Sequence, residues 1–187
     1  KLKNVRLSFP DLYEAKPFKP GDTPMFSATF LIKKGSKQDK QINEAIMDAA
    51  KVKFGAAKAQ KIVDSIRNNP NKFAYQDGDT KTYDGYEGHM ALRAKNMVRP
   101  KVLDRDRSPL RPEDGKPYAG CYVDAIVEIF AYNNTGNGIS ASLGGVQFRD
   151  DGDSFGGGTP VSEDDFDDLG DLGEEEGAED LGDEDLA

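Results

Sequence analysis

Val5, Leu7 and Phe9 alternate with Arg6 and Ser8, the period of two of a half-buried strand. Asp11 to Asp22, with Pro17, Pro20 and Gly21, reads as a loop. From Met25 to Lys33 a second strand sets Phe26, Ala28, Phe30 and Ile32 on one face and Ser27 and Thr29 on the other. The period then changes. Ile42, Ala45, Ile46, Ala49 and Val52 recur at spacings of three and four, as do Ala59, Ile62, Val63 and Ile66 after Gly55. These stripes predict two helices, the second stopped by Asn68-Asn69-Pro70. Beyond them the chain returns to strands and long loops. Phe73 and Tyr75 alternate; His89 to Asn96 carries Met90, Leu92 and Ala94 on one face and His89, Ala91, Arg93 and Lys95 on the other. Arg99 to Leu103 reads as a short strand limited by Pro100, and Asp104 to Pro117 as a charged loop. Cys121 to Tyr132 is apolar on both faces, as in a central strand. Asn133 to Gly138 has hairpin-turn chemistry, and Ile139 to Phe148 returns with Gly144-Gly145 as a bulge. Five or six strands and one helical pair predict a mainly β domain built as a small, nearly closed barrel, with a sandwich as the rival.

Charge divides the chain in two. Residues 150–187 contain none of its 25 lysines and arginines and 17 of its 34 acids. The net charge of −9 therefore conceals a body, residues 1–149, that carries +8. A cationic body calls for a polyanionic partner, and a C-terminal run of like charge reads as a disordered interaction segment. The expected organisation is a domain over residues 1–150 and an acidic tail over residues 151–187, whose few apolar side chains cannot offset the entropy of ordering. A flexible run of 38 residues has a root-mean-square span of roughly 34 Å, against a body radius of gyration near ~15 Å, so it reaches any face of its own domain. The single cysteine, Cys121, allows no intrachain disulfide and favours a reducing compartment. No apolar run approaches a membrane span, and Lys1 to Pro10 has no signal-peptide character. The chain opens without methionine, as after trimming of a few residues.

Little catalytic chemistry is available. With one histidine and one cysteine, no zinc set forms, and Cys121, opening an apolar strand, reads as an inert thiol. No phosphate-cradling Gly-rich loop ending in Lys-Ser/Thr occurs; Gly136-x-Gly138-x-x-Ala141 leads into a strand where a dinucleotide site needs a helix. The carboxylates of Asp104 and Asp106 are interleaved with Arg105 and Arg107, which weakens a reading as a metal-dependent nuclease. Asp151-Gly152-Asp153 has only the opening of a calcium loop. No catalytic residue, metal or cofactor is expected.

Single-stranded nucleic acid needs a cationic track for phosphates and aromatic faces for bases. Both are concentrated in one stretch, where Phe73, Tyr75, Tyr83, Tyr86 and His89 precede Arg93, Lys95, Arg99, Lys101, Arg105 and Arg107. Tyr75, Tyr83 and Tyr86 are the expected stacking residues, with Phe73 weaker because it also suits a core. The competing reading is an acidic-tailed adaptor or chaperone-like protein whose body binds another protein.

Tyr118-Ala119-Gly120-Cys121-Tyr122-Val123-Asp124, Tyr132-Asn133, Gly138 to Leu143, Gly145-Val146-Gln147 and Arg149-Asp150-Asp151-Gly152 resemble the C-terminal signature of a phage family of OB-fold single-stranded DNA-binding proteins. Lys3 to Phe9 and the stretch from Arg93-Ala94-Lys95-Asn96 to Arg99-Pro100 fit it too. The resemblance spans most of residues 1–152. It implies an OB-fold-like barrel, a non-enzymatic role in phage replication or recombination, and action in the cytoplasm of the infected bacterium. It also implies a partner in single-stranded DNA, weaker contact with duplex, and a tail that competes for the site or docks replication proteins. Two departures stand out. The usual OB order puts its helix between the third and fourth strands, whereas this helical pair follows two, so either a strand is hidden in residues 10–24 or the barrel is elaborated. The chain ends Asp185-Leu186-Ala187 rather than in an aromatic residue.

Overall fold

The computed structural model describes residues 1–156. Seven strands and two helices follow in the order β1 (Leu2–Lys16), β2 (Met25–Lys33), α1 (Lys37–Phe54), α2 (Ala59–Ile66), β3 (Tyr75–Asp77), β4 (His89–Asn96), β5 (Lys101–Leu103), β6 (Tyr122–Tyr132) and β7 (Gly138–Asp150). The sheet runs β3-β4-β2-β1-β6-β7-β5, and a further parallel pairing of β4 with β7 at Lys95 and Ser142 joins its ends. Five strands, β1, β2, β4, β7 and β6, thus close a barrel of the OB type. β3 flanks β4, and β5 takes up the β7 edge beyond the closure.

The helix order is settled by elaboration. No strand is hidden between residues 17 and 24; instead the helical pair is inserted between the second and third barrel strands. β1 does run on to Lys16, through residues expected to form a loop. It bulges at Asn4 and at Phe9, with φ of 52° and 45°, where its register against its neighbours shifts, and the register against β2 shifts once more between Asp11 and Lys16. Bulges sharpen the bend of a strand, so β1 reaches β6 through its first residues and β2 along the rest. The second bulge also corrects one expectation. Phe9, placed by alternation beside Val5 and Leu7, is turned out and is 54% exposed.

The glycine bulge in β7 forms as the sequence predicts. Ile126 pairs with Gly145 and Val127 with Leu143, leaving Gly144 as the extra residue. The interior is filled by Leu7, Phe30, Ile32, Phe73, Tyr75, Leu92, Val123 and Leu143, with Ile46 and Val63 from the helices. α1 starts at Ser36, whose hydroxyl accepts the Asp39 N–H at 3.2 Å. It stops at Gly55, whose N–H donates to the Lys51 carbonyl at 3.0 Å with φ at 87°. A side chain other than glycine is rarely stable at that φ.

Phe73 and Tyr75 are core residues, 1% and 0% exposed, which corrects their expected stacking role. Both point inward because their segment pairs with β7 at Ile139 and with β4 at Leu92. The Tyr75 hydroxyl donates to Asp39 Oδ1 at 2.7 Å, tying barrel to helix, and burial pushes its pKa upward. Phe73→Ala should therefore lower unfolding stability by about 3–5 kcal/mol, and Tyr75→Phe by about 1 kcal/mol, read as shifts of the urea midpoint. A Phe73→Ala protein as stable as the parent would contradict this placement.

Candidate nucleic-acid interface

The outer face of β1, β2 and β4 follows from strand register. Arg6 lies opposite Leu31, and Leu31 opposite Ala91; Ser8 lies opposite Thr29, and Thr29 opposite Arg93. Ser27 faces Lys95, and Lys33 faces His89. The outward row on β4 is thus His89, Ala91, Arg93 and Lys95, as alternation predicts. Two loops rise beside it. In the β1–β2 loop, the Phe18 ring is 62% exposed and its centroid lies 4.3 Å from the Arg93 guanidinium carbon. Burial lowers the Arg93 pKa from its usual value, opposed by Asp11. Arg93 is therefore a partly desolvated cation placed over an aromatic ring, with Lys95 exposed beside it.

The β3–β4 loop brings the second aromatic group. Phe9 and Tyr83 meet edge to face at 4.9 Å between centroids, and Tyr83 meets Tyr86 at 5.2 Å. Phe9 and Tyr83 are 54% and 52% exposed, whereas Tyr86 is buried. The Tyr86 hydroxyl hydrogen-bonds the Ser8 hydroxyl at 3.0 Å. Tyr86 therefore anchors the loop and has no free ring face for a base, a second correction. The loop root is tightly made. Lys34 pairs with Asp77 at 2.5 Å and with Asp79. It holds both carboxyls below their usual pKa, while its own is raised by them. A β-carbon on Gly78 would lie 2.3 Å from the His89 carbonyl oxygen.

Residues after β7 belong to the same face. The Arg6 guanidinium donates to the carbonyls of Gly120 at 2.9 Å and Asp153 at 2.7 Å. It lies 4.3 Å from the Phe155 centroid. Phe155 packs on Leu31, Tyr86 and Ala91, and its N–H donates to the Ala119 carbonyl at 3.0 Å. Tyr118 donates to Asp151 Oδ1 at 2.7 Å, and burial, with Asp151, pushes its pKa to about 12. The boundary expected after residue 150 thus falls within a strap still tied to the barrel; from residue 157 on, the acidic tail lies outside the described residues. Beside the strap, a groove of about 440 Å³ has Arg6, Lys33 and His89 on its walls.

Of the residues expected at the site, Tyr83, His89, Arg93 and Lys95 share or border this face. Arg99 follows β4 and stands 5.6 Å over the Tyr13 ring. Lys101 is exposed on β5, which continues the line of β4 along β7. Arg105 and Arg107 are set apart in the loop after β5. Arg105 is engaged by the Arg149 carbonyl at 2.6 Å and Asp150 at 3.1 Å, and Arg107 sits in a turn closed by its N–H to the Asp104 carbonyl at 3.0 Å. Phe9, Phe18 and Arg6 were missed. Phe18 stood in a loop too polar to need an aromatic residue, which was the available signal. Burial pushes the Cys121 thiol to about 12, so it carries no nucleophile near neutral pH. Among the described residues no group of three or more His, Cys, Asp or Glu is placed to hold a metal. Asp104 pairs with Lys116 at 3.3 Å and Asp106 accepts from Ser108.

A five-stranded barrel whose open face joins exposed aromatic rings to cations is an OB-type nucleic-acid-binding module. The chain belongs to the family described as Enterobacter phage Enc34, ssDNA-binding protein, whose model matches residues 1–181. Protein p50 of Acyrthosiphon pisum secondary endosymbiont phage 1 is 49% identical over 178 residues, covering 94% of this chain and 96% of that one. The single-stranded DNA-binding protein of bacteriophage Enc34, solved in complex with ssDNA, superposes with a TM-score of 0.68 at 29% identity, covering 82% of this chain and 87% of its own. The same protein in a second structure gives a TM-score of 0.64 at 30% identity, over 87% and 86%.

The loop root yields a titration test. In Lys34→Met, Asp77 and Asp79 lose the cation that depresses them. Their carboxyl carbon signals should titrate at higher pH than in the parent, toward the ordinary value of 3.8. In the parent the pair steadies the loop above that value and stops doing so as pH falls through the depressed pKa values. Unchanged midpoints in the variant would show that Lys34 does not order the turn.

Proposed function

We propose that this protein coats single-stranded DNA during phage replication or recombination, without catalysis and largely without sequence preference, in the cytoplasm of the infected bacterium. The observation that carries the reading is the exposure of Phe9, Phe18 and Tyr83 on the face where Arg93 and Lys95 stand unpaired with any carboxylate of the described residues. Planar side chains accept any base by its face, and cations accept the phosphates that every nucleotide carries, so the arrangement reads strandedness rather than sequence. A duplex hides its base faces and is left with the phosphate contacts alone, which makes it the weaker ligand. Among the described residues no helix is long and apolar enough to cross a membrane.

The acidic segment from Glu163 to Asp185 is the same kind of polyanion as the ligand. Tethered through the strap beside Arg6, it competes for the cationic face at an effective concentration of roughly millimolar. It also offers a docking segment for replication proteins.

Two outcomes are expected by fluorescence anisotropy with labelled oligo-dT. Phe18→Ala and Tyr83→Ala should each weaken binding by roughly 1–3 kcal/mol with an unchanged melting transition; normal binding by both folded variants would move the stacking platform elsewhere. Ending the chain after Gly156 should tighten binding, most at low salt and more for duplex than for single strand. Equal affinities of the two lengths at the lowest salt would leave the acidic segment a role in solubility or partner docking.

A further inference from the structure

More than half of the body's net positive charge falls in one stretch of sequence around the helical pair. Residues 50–72 hold Lys51, Lys53, Lys58, Lys61, Arg67 and Lys72 against one carboxylate, Asp64, a net of +5 within a body of +8. Asp64 is engaged by Gln60 at 2.9 Å. Lys51, Lys53, Lys58 and Lys61 are exposed, and none forms an ion pair among the described residues. Lys51 and Lys53, in the last turn of α1, complement its dipole. Lys58 and Lys61 do the opposite. Lys58 is the N-cap of α2 without a capping hydrogen bond, Lys61 follows in the first turn, and that turn contains no acid. Two cations at the positive end of a helix, beside two more across a turn of Gly55, Ala56 and Ala57, oppose local stability. Local folding does not account for them; a polyanionic partner would.

The corner is joined to the stacking face by further cations. Residues 72–74 run between β4 and β7: the Arg93 N–H donates to the Ala74 carbonyl at 3.0 Å, and the Ile139 N–H to the Lys72 carbonyl at 2.8 Å. Phe73 points inward there, which leaves Lys72 outside, its ammonium donating to the Thr135 carbonyl at 2.8 Å. The Arg67 carbonyl is tied to Gln76 at 3.0 Å. Arg93, Lys72 and Arg67 thus stand on backbone segments bonded to one another between the barrel face and the helical pair.

We propose that the α1–α2 corner is a second contact surface for the phosphate backbone, onto which a single strand longer than the barrel face is led past Lys72. This rests on the single-strand reading of the barrel face. Lacking exposed aromatic rings, the corner contacts phosphates without stacking bases, so it adds salt-dependent affinity that only a long strand gains.

The test compares the full chain with a K51Q/K53Q/K58Q/K61Q variant on oligo-dT of about 8 and about 24 nucleotides, lengths chosen around the span of one OB fold, with one-to-one binding checked by sedimentation. Four phosphate contacts make log K fall more steeply with log[salt] for the longer strand by up to about 2.8, so its advantage should shrink about 50-fold between about 50 and about 200 mM salt. In the variant the short strand should bind as before and the long strand should take the short strand's slope. Equal slopes for the two strands in the parent, or an unaltered long-strand slope in the variant, overturn the proposal. Short-strand binding that weakens in the full-length variant, but not when the chain also ends after Gly156, overturns it too and assigns the lysines to the acidic segment. Failure of the parent to bind either strand at low salt is a failure of the single-strand reading, and the proposal falls with it.

Discussion

The meeting of β4 and β7 holds the molecule together as a barrel and places its chemistry. It is a narrow parallel contact at Lys95 and Ser142. Asn96 reinforces it by donating to the Ser142 hydroxyl at 3.3 Å and the Leu143 carbonyl at 3.1 Å. Above it the two strands part, and residues 72–75 fill the opening, with Phe73 and Tyr75 sealing the core from that side. Without this closure Leu92, Ala141 and Leu143 would face water and the sheet would have two open edges. With it, alternation along β4 becomes a division of labour: Leu92 and Ala94 inward, Arg93 and Lys95 outward onto one surface with β2.

The same division explains why rings are exposed. A closed barrel spends its apolar residues inside, and exposed aromatic residues on its outer face then need a reason of their own. Phe9 is exposed because the β1 bulge turns it out, at a φ that L-residues rarely adopt. Phe18 is carried by a loop and held by Arg93. Tyr83 stands on a loop whose root is fixed by Lys34, Asp77 and Asp79 and whose inner side is pinned by Tyr86. The rings are thus mounted on supported backbone, so a base meets them at a small further cost in entropy. The charge of the chain follows a parallel logic. The body's cations repel one another, a cost that a polyanionic ligand such as single-stranded DNA offsets.

Most of the fold was legible in the sequence because hydrophobic periods of two and of three to four are the direct imprint of strands and helices. β2, β4, the helical pair and the β6–β7 hairpin with its glycine bulge all lie where the pattern puts them. The site was legible in part. Strand alternation was enough to bring His89, Arg93 and Lys95 to one face, and Tyr83 was recognised as an aromatic residue in a turn-rich segment. Phe73, Tyr75 and Tyr86 were misplaced for one reason: composition reports that aromatic residues cluster in sequence, while burial depends on strands that pair from far along the chain. Phe9 and Phe18 failed in the converse way. A bulge reverses every facing after it, and the φ of Phe9 leaves no mark in the local pattern except the Pro10 that follows. The strap at Phe155 was hidden because its partners Arg6 and Leu31 lie more than a hundred positions before it.

In the proposed mode of binding, single-stranded DNA lies on the outer face of β2 and β4 between the Phe18 and Tyr83 loops. Amide hydrogen exchange of the full chain, with and without saturating oligo-dT, tests it most directly. Protection is predicted in residues 17–24 and 81–88, with the neighbouring β4 edge slowed as well, while the loop from Asp104 to Pro117 exchanges as in the free protein. Protection confined to that loop, or none in the two flanking segments, would place the strand on another surface.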